Sequence, residues 1–378
     1  MLIFSPKEND ANEPRAAVTP DSAGRLIKLG AELAVEAGIG AGAGFSDEAY
    51  KEAGATVRDD RAAALGAADI VLRVRPPEPS EVGTLKAGAI HISFLDPFNE
   101  KELVDSLAKQ QVSAISVELV PRSTRAQKLD ALSSQHNLAG YAMVIIGANE
   151  LRTILPLMTT PSGTIQPARV FVIGAGVAGL QAIATAKRLG ARVEAFDTRP
   201  VVAEQVESLG ARFVKVDLGE TGQTEQGYAK ELTPEQLQKQ QEVMADRCAQ
   251  SDIVITTAQL FGRKAPVVVT KEIVARMKPG SVVIDYAVES GGNVEGSVAG
   301  ENVDVNGVTI IGYRNIPGRV AASASQMYAN NLYNYIDEFW NKDEKTFVLD
   351  REDEIVSSSL VTYDGQMVNE MVKNITGQ

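Results

Sequence analysis

The sequence predicts an α/β protein with two doubly wound parallel-sheet domains and a cleft between them. The length of 378 residues suits two domains of ordinary size, each able to bury its own core. Short apolar segments alternate with amphipathic segments along most of the chain, which is typical of the strand–helix repeats that build a parallel sheet. Aromatic residues make up only 5% of the chain against 44% hydrophobic residues, a bias that favours tight helix-on-sheet packing.

The first 140 residues contain four segments that predict strands and three that predict helices. The predicted strands cover residues 34–36, 69–74, 89–94 and 113–117. The predicted helices cover residues 22–29, 47–53 and 100–109. The last helix follows Asn99, a residue type that favours the N-cap position.

The alternation is clearer in the second half of the chain. Six apolar segments predict strands at residues 169–173, 192–197, 211–214, 252–257, 281–285 and 308–311. An alanine-rich helix is expected between the first two strands, over 178–189, and Gly190 would end it. The polar region 219–241 predicts a loop followed by a surface helix after Thr233-Pro234.

The C-terminal segment predicts a return to the first domain. A helix is expected over 324–340, and two strand-like segments follow at 346–349 and 359–363, with a turn at Asp364-Gly365. The predicted division is therefore a discontinuous outer domain, 1–140 plus 321–378, and an inner domain, 141–320.

Composition excludes several classes of function. The net charge of −12 argues against binding to nucleic acid or to anionic lipid, since both need a basic surface. A single cysteine, Cys248, excludes an internal disulfide and a thiolate metal site, and two histidines leave little for any metal. With no charged leader and no apolar run of membrane-spanning length, we expect a cytoplasmic chain without direct membrane insertion.

A glycine motif lies at the junction of the first strand and helix of the inner domain. Gly174, Gly176 and Gly179 follow the strand 169–173 in the spacing G-x-G-x-x-G, and the alanine-rich helix comes directly after them. In Rossmann domains these glycines allow a tight turn, close approach of the backbone to a pyrophosphate, and packing of the helix on the strand. The helix N-terminus attracts phosphate. The motif in this setting predicts a Rossmann-like dinucleotide-binding domain.

An acidic residue lies at the expected distance beyond this motif. Asp197 ends the second strand, where a carboxylate accepts hydrogen bonds from the adenosine ribose and disfavours a 2′-phosphate. NAD is therefore favoured over NADP, although the neighbouring Arg199 could tolerate that phosphate. The glycine-rich segment 38–44 lacks such a helix and acid, and is interpreted as a flexible connection.

The glycine motif belongs to a longer run, residues 174–190, that resembles the NAD(H)-binding component of proton-translocating NAD(P) transhydrogenase. The resemblance covers essentially the whole chain, and its most specific segment is the run 121–140. Further matching segments are residues 204–210, 227–231, 278–282 and 291–293.

The resemblance implies a role for the loop within 121–140. Arg122, Gln127 and Asp130 match an Arg-Gln-Asp loop that holds the nicotinamide end of NAD(H) opposite the NADP(H) of a partner subunit, with Ser133 following in register. Direct transfer of a hydride between two nicotinamide rings needs alignment and exclusion of water, but no general base. The spacing of these residues alone would equally suit a solvated loop with local ion pairs.

Other binding residues and partners are likewise implied by the resemblance. Val177 would offer a backbone N–H to the pyrophosphate, and Thr198 and Arg199 would lie with Asp197 at the adenosine ribose. The remaining implied contacts are Gly227 and Tyr228 in a loop that closes over the nucleotide, and the backbone of Gln259. The family implies a homodimer that works with an NADP(H)-binding component and a membrane proton-channel component.

Alanine dehydrogenase, which shares the two-domain plan, is the alternative enzyme. Arg15 matches its substrate-carboxylate arginine, but its lysine position is occupied by Arg75 and its histidine position by Phe94. Arginine cannot exchange protons at neutral pH, so this alternative lacks two catalytic groups. His91 is out of register and is interpreted as a core histidine. An NAD-sensing regulatory subunit is a third hypothesis, which would not require the Arg122–Asp130 loop.

Overall fold

The chain folds into two compact units in a computed structural model that describes residues 1–216, 233–259 and 262–376. Unit 1 combines residues 1–135 with the C-terminal segment from Val320, and unit 2 runs from His136 to Arg319. Each unit is built around its own parallel sheet. Among the helices in these ranges, none combines the length and the apolar composition needed to cross a membrane.

The N-terminal segment of unit 1 is a regular alternation of strands and helices. Its elements are β1 (Leu2–Ser5), α1 (Pro20–Lys28), β2 (Glu32–Glu36), α2 (Asp47–Glu52), β3 (Thr56–Arg58), α3 (Arg61–Ala67), β4 (Ile70–Leu72), α4 (Pro79–Val82), β5 (Ile90–Ser93), α5 (Lys101–Lys109) and β6 (Ser113–Ser116). These six strands are parallel and lie in the order β3-β2-β1-β4-β5-β6, the doubly wound order of dinucleotide-binding domains.

Two short strands in this unit were not predicted. β1 is only four residues long, and β3 is a three-residue edge strand whose side chains are mostly exposed, so neither produces an apolar run. The predicted N-cap at Asn99 was wrong, because α5 begins at Lys101 and its cap position is Glu100. The amide of Asn99 instead donates to Oδ1 of Asp96 at 2.8 Å.

Unit 2 begins within the long helix α6 (Ala131–Glu150). Its further elements are β7 (Met158–Thr160), β8 (Gly163–Ile165), β9 (Arg169–Ile173), α7 (Val177–Arg188), β10 (Arg192–Phe196), α8 (Ala203–Ser208), β11 (Arg212–Phe213), α9 (Pro234–Gln250), β12 (Ile253–Thr256), α10 (Lys271–Ala275), β13 (Val282–Asp285), β14 (Asn302–Val305) and β15 (Val308–Ile311). The sheet order is β11-β10-β9-β12-β13-β15-β14, in which only β14 is antiparallel.

The sheet of unit 2 is buried on both faces, which explains its apolar strands. Val170, Ile253 and Ile284 pack on one face with helices α6 and α7, whereas Phe171 and Val254 pack on the other with α9 and α10. Parallel strands covered on both sides are apolar along most of their length, and the six predicted strands are all present.

The C-terminal segment packs with unit 1. Its elements are α11 (Ala321–Glu338), β16 (Trp340–Asn341), β17 (Thr346–Phe347), α12 (Glu354–Ser359), β18 (Leu360–Tyr363), β19 (Gln366–Met367) and α13 (Glu370–Thr376). β18 pairs with β6 in antiparallel orientation, and β19 extends the sheet as the second strand of a hairpin. Asp364 and Gly365 form its turn with φ of 48° and 76°, as the Asp-Gly pair predicts.

Candidate functional site

The glycine turn lies at the centre of unit 2, between β9 and α7. Gly174 has φ of +99°, a conformation that side chains other than glycine rarely adopt. A Cβ on Gly174 would lie 2.6 Å from Oγ1 of Thr257, so the space is closed as well. The hydroxyl of Thr257 donates to the carbonyl of Gly174 at 3.0 Å, which ties the turn to the end of β12.

The other two glycines of the motif have different surroundings. Gly176 is the N-cap residue of α7, has no side-chain cap, and has open space where a Cβ would stand. A Cβ on Gly179 would lie 1.9 Å from the carbonyl oxygen of Gly174, so the helix packs directly on the turn. The first N–H groups of a helix, Val177 included, have no acceptor inside it. An open backbone cradle at a helix N-terminus fits a pyrophosphate.

Asp197 follows β10 and contacts the glycine turn. Its Oδ2 accepts the backbone N–H of Ala175 at 2.8 Å, and its Oδ1 accepts that of Arg199 at 2.8 Å. The guanidinium of Arg199 also binds both oxygens, through Nε at 2.9 Å and Nη2 at 2.8 Å. The carboxylate is therefore held rigidly beside the turn, with its charge balanced by an arginine two residues away. Thr198, half-buried, lies between them.

A second network lies at the carboxyl ends of β12 and β13, and sequence reasoning did not assign it a role. The buried carboxylate of Asp285 accepts the backbone N–H of Asn293 at 3.0 Å and that of Ala287 at 3.0 Å. Burial raises the pKa of Asp285, and these hydrogen bonds oppose that rise. The amide of Asn293 in turn binds the backbone of Ala258, next to the half-buried Gln259. An acid ending an apolar strand was the available signal.

The predicted nicotinamide loop lies in unit 1, so the candidate residues fall into one group in each unit. Gln127 begins a 3-10 helix, Gln127–Leu129, in which Leu129 is buried while Gln127 remains exposed. Arg122 is also exposed. The loop thus presents polar side chains on a backbone whose apolar residues belong to the core.

The C-terminal segment anchors this loop through ion pairs and hydrogen bonds. The hydroxyl of Ser123 donates to Glu354 at 2.7 Å, Lys128 Nζ lies 2.7 Å from Glu338, and Arg125 pairs with Asp353. The bond to Asp353 raises the pKa of Arg125 and, after the opposing effect of partial burial, lowers that of Asp353. The loop is therefore mounted on α11 and the start of α12.

Asp130 and Ser133 interact with each other at the start of α6. Oδ1 of Asp130 accepts the backbone N–H of Ser133 at 2.8 Å, and Oδ2 accepts the hydroxyl of Ser133 at 2.6 Å. This is the geometry of an N-cap, so Asp130 has a helix-capping role whatever it binds. Two further predicted residues, Gly227 and Tyr228, lie outside the described residues.

The residues at positions expected for an amino-acid dehydrogenase are engaged in packing or ion pairs. Arg15 is buried, and its guanidinium binds Glu13 through Nε at 2.7 Å and Nη2 at 2.6 Å. Burial alone would lower the pKa of Arg15, but the carboxylate of Glu13 raises it overall. Arg75 binds the same carboxylate, with Nε 3.0 Å from Oε2. Phe94 stacks on Tyr328, with ring centroids 5.2 Å apart.

His91 is a core residue, as predicted. Its ring is fully buried, and Nε2 lies 3.0 Å from the hydroxyl of Ser93. Within the described residues, Nδ1 has no hydrogen-bond partner. Burial, together with the nearby charge of Arg73, lowers the pKa of His91 to about 3. The histidine is therefore neutral near pH 7 and is enclosed in the core of the unit.

Comparison with known proteins agrees with this geometry. The family models for the N-terminal and C-terminal domains of alanine dehydrogenase/PNT match residues 5–139 and 143–370. The chain is 47% identical to an NAD(P) transhydrogenase alpha subunit of Rhodospirillum rubrum, over the whole of both chains. It is 30% identical to alanine dehydrogenase of Bacillus subtilis, over 100% of this chain and 95% of that protein.

A solved structure gives the same result. The transhydrogenase from Sinorhizobium meliloti superposes with a TM-score of 0.85 at 42% identity, over 98% of this chain and 100% of that one. Within the matched family, the identities are thus higher to the transhydrogenase proteins than to the alanine dehydrogenase. The chain belongs to the alanine dehydrogenase/PNT family and, within it, to the NAD(P) transhydrogenase alpha subunits.

Proposed function

We propose that this chain is the NAD(H)-binding component of a proton-translocating transhydrogenase. The observation that carries the proposal is the open cradle at Gly176, formed at the N-terminus of α7 beside the fixed carboxylate of Asp197. Bound NADH would supply a hydride from its nicotinamide ring to NADP+ held on a partner subunit.

The nucleotide is held from its adenosine end by unit 2. Gly174, Gly176, Gly179 and the N–H of Val177 receive the pyrophosphate, for which a helix N-terminus is suited. Asp197 accepts a ribose hydroxyl on the lone pairs left by its bonds to Ala175 and Arg199, with Thr198 beside it. The backbone of Gln259 lies at the carboxyl end of β12, and Gly227 and Tyr228 belong to the closing loop.

The loop that contains Arg122, Gln127 and Asp130 holds the nicotinamide end, and Ser133 supports Asp130. Its mounting on the C-terminal segment supports this role, because hydride transfer requires two rings aligned at near-contact distance. A loop whose backbone is fixed while Arg122 and Gln127 are exposed can orient a ring without moving a proton. No residue of this chain needs to act as a general base.

The remaining steps of the reaction belong to partners. NADP(H) is bound by a separate component, and proton translocation is carried out by a membrane component. The chain works as a homodimer on the cytoplasmic side of the inner membrane, attached through these partners. This arrangement follows the alpha subunits to which the chain is similar.

Oxidation of an amino acid by this chain is the weaker alternative. Arg15, the candidate for binding a substrate carboxylate, already has a bidentate carboxylate partner in Glu13. Arg75 and Phe94 offer no group that exchanges a proton at neutral pH. A purely NAD-sensing role is disfavoured by the anchored loop, which a sensor would not need.

The test measures hydride transfer with and without a partner. The purified chain should bind NADH, and should reduce NADP+ only when an NADP(H)-binding component is added. Oxidation of L-alanine with NAD+ by the chain alone would overturn the proposal. Gln127→Ala should slow transfer at least roughly tenfold while changing the Kd for NADH by less than about threefold. Thr124→Ala, at an exposed position in the same loop, is the control and should change neither.

A further inference from the structure

Asn293 is a fully buried side chain that uses every polar group it has. Its Oδ1 accepts the N–H of Ala258 at 3.0 Å, and its Nδ2 donates to the carbonyls of Ala258 at 2.8 Å and Pro266 at 2.8 Å. Its backbone carbonyl accepts the N–H groups of Val268 at 2.8 Å and Val269 at 3.0 Å. One side chain thus closes both ends of the segment from 258 to 266.

Asn293 is itself held from below by Asp285. The backbone N–H of Asn293 lies 3.0 Å from Oδ1 and 3.1 Å from Oδ2 of that carboxylate, and the N–H of Val294 lies 3.2 Å from Oδ2. Gly291 and Gly292 precede it with φ of 109° and 81°, so the chain bends back sharply before reaching the carboxylate. The position of the amide is therefore determined by the end of β13.

The residue that Asn293 fixes lies directly against the glycine turn. A Cβ on Gly174 would be 3.2 Å from the nitrogen of Ala258, and the preceding Thr257 donates its hydroxyl to Gly174. A shift of Ala258 would therefore be felt at the turn. The path runs from Asp285 through Asn293 and Ala258 to Gly174.

The sheet order indicates which half of a dinucleotide this path serves. A doubly wound domain has two mononucleotide halves on either side of its central strands. Asp197 follows β10 in the half formed by β9, β10 and β11, and that half takes the adenosine ribose. The half formed by β12, β13 and β15 carries Ala258 and Asn293 and faces the other nucleotide.

We propose that Asn293 is a positioning residue for the nicotinamide half of NAD(H), acting through the backbone of Ala258. This inference rests on the proposed function, since it requires that the chain binds NAD(H). An asparagine amide supplies the acceptor and the two donors that this geometry uses, whereas an ionised aspartate has no donor and glutamine is one methylene too long for a fully buried site.

The chain contains a matched control in Asn369. This buried asparagine lies in unit 1 and has the same pattern of bonds, since its Oδ1 accepts the N–H of Val372 at 3.2 Å. Its Nδ2 donates to the carbonyls of Ser358 at 2.8 Å and Leu360 at 3.2 Å. Asn369→Ala therefore removes an equivalent set of hydrogen bonds away from the glycine turn.

The experiment compares the Kd of NADH with that of 5′-AMP by calorimetry for Asn293→Ala, Asn369→Ala and the unaltered chain. Asn293→Ala should weaken NADH binding about tenfold or more and AMP binding less than about twofold, because only NADH occupies the second half. Asn369→Ala should lower the melting temperature and leave both Kd values unchanged. If Asn293→Ala does not fold, Asn293→Ser is measured in the same way.

Two results would overturn the proposal. One is an equal loss of NADH and AMP binding, which would make Asn293 a general support of the domain. The other is a loss of NADH binding no greater than that of Asn369→Ala. Absence of NADH binding by the unaltered chain would instead refute the proposed function.

Discussion

Alanine substitutions at two glycines of the same turn should have opposite consequences. Gly176 has φ of −78° and ψ of −167° and open space at the Cβ position, so alanine is compatible with the backbone. Loss of backbone entropy in the unfolded chain would stabilise Gly176→Ala by roughly 0.4–1 kcal/mol. The poorer N-cap propensity of alanine would cost a similar amount, so the net stability should change by less than about 1 kcal/mol.

Gly179→Ala should instead destabilise the protein. Its Cβ would lie 1.9 Å from the carbonyl oxygen of Gly174, whereas ordinary contact begins at 3.4 Å. The helix must therefore move by more than about 1 Å, and overpacking of this kind costs roughly 1–3 kcal/mol or more. The better helix propensity of alanine returns only about 1 kcal/mol. A decrease of several degrees in the melting temperature is expected.

Binding should reverse this order of severity. The Cβ of Gly176→Ala would occupy the space into which a pyrophosphate must come, and the loss of one charge-assisted hydrogen bond raises the Kd for NADH by roughly 10- to 100-fold. Calorimetric titration and thermal melting of both variants measure the two effects. Gly83→Ala, with open space at its Cβ and φ of −65° in unit 1, should change neither. Tight NADH binding by a well-folded Gly176→Ala would refute the assignment of the pyrophosphate to this turn.

Three further outcomes are expected. Asp197→Asn should raise the Kd for NADH about tenfold and reduce the preference for NADH over NADPH, and unchanged affinities for both would remove Asp197 from the ribose site. His91, whose pKa is lowered by burial to about 3 from 6.5, binds its proton more tightly in the unfolded chain, so stability should fall as the pH drops below 6.5, by up to roughly 1.4 kcal/mol per pH unit. His91→Asn should flatten this slope in denaturant titrations, and an unaltered slope would show that other groups cause it. Glu13→Gln should cost about 3–5 kcal/mol of unfolding free energy by leaving the buried Arg15 without a charge partner, whereas the exposed Glu352→Gln should have little effect.

The secondary structure of unit 2 was predictable because its signals are local. Each of its six predicted strands is an apolar run that packs on both faces, and the helix after Gly179 is rich in strong helix formers. The prediction failed for β1, β3 and the cap of α5. These elements are short, and their pairing with neighbouring strands or their turn geometry stabilises them more than their own sequence pattern does.

The candidate site was only partly predictable for a related reason. Asp197 was expected to meet a ribose, but spacing did not show that it also holds Ala175 and is gripped by Arg199. Asp130 was expected to bind a nucleotide, and its capping of α6 through Ser133 emerged only from the tertiary structure. In both cases the sequence indicates the residue type and position, while the number of free lone pairs depends on neighbouring backbone atoms.

The sequence alone determined the two-sheet architecture and the glycine turn, because the period of a strand or helix and the needs of a tight turn involve residues that are close along the chain. The tertiary structure decided how the turn is supported and how the 121–130 loop is mounted. Asn293 meets Ala258 across 35 positions, and Ser123 meets Glu354 across 231. A buried amide or carboxylate bonds to whichever backbone the fold brings within about 3 Å, and no local pattern encodes that partner.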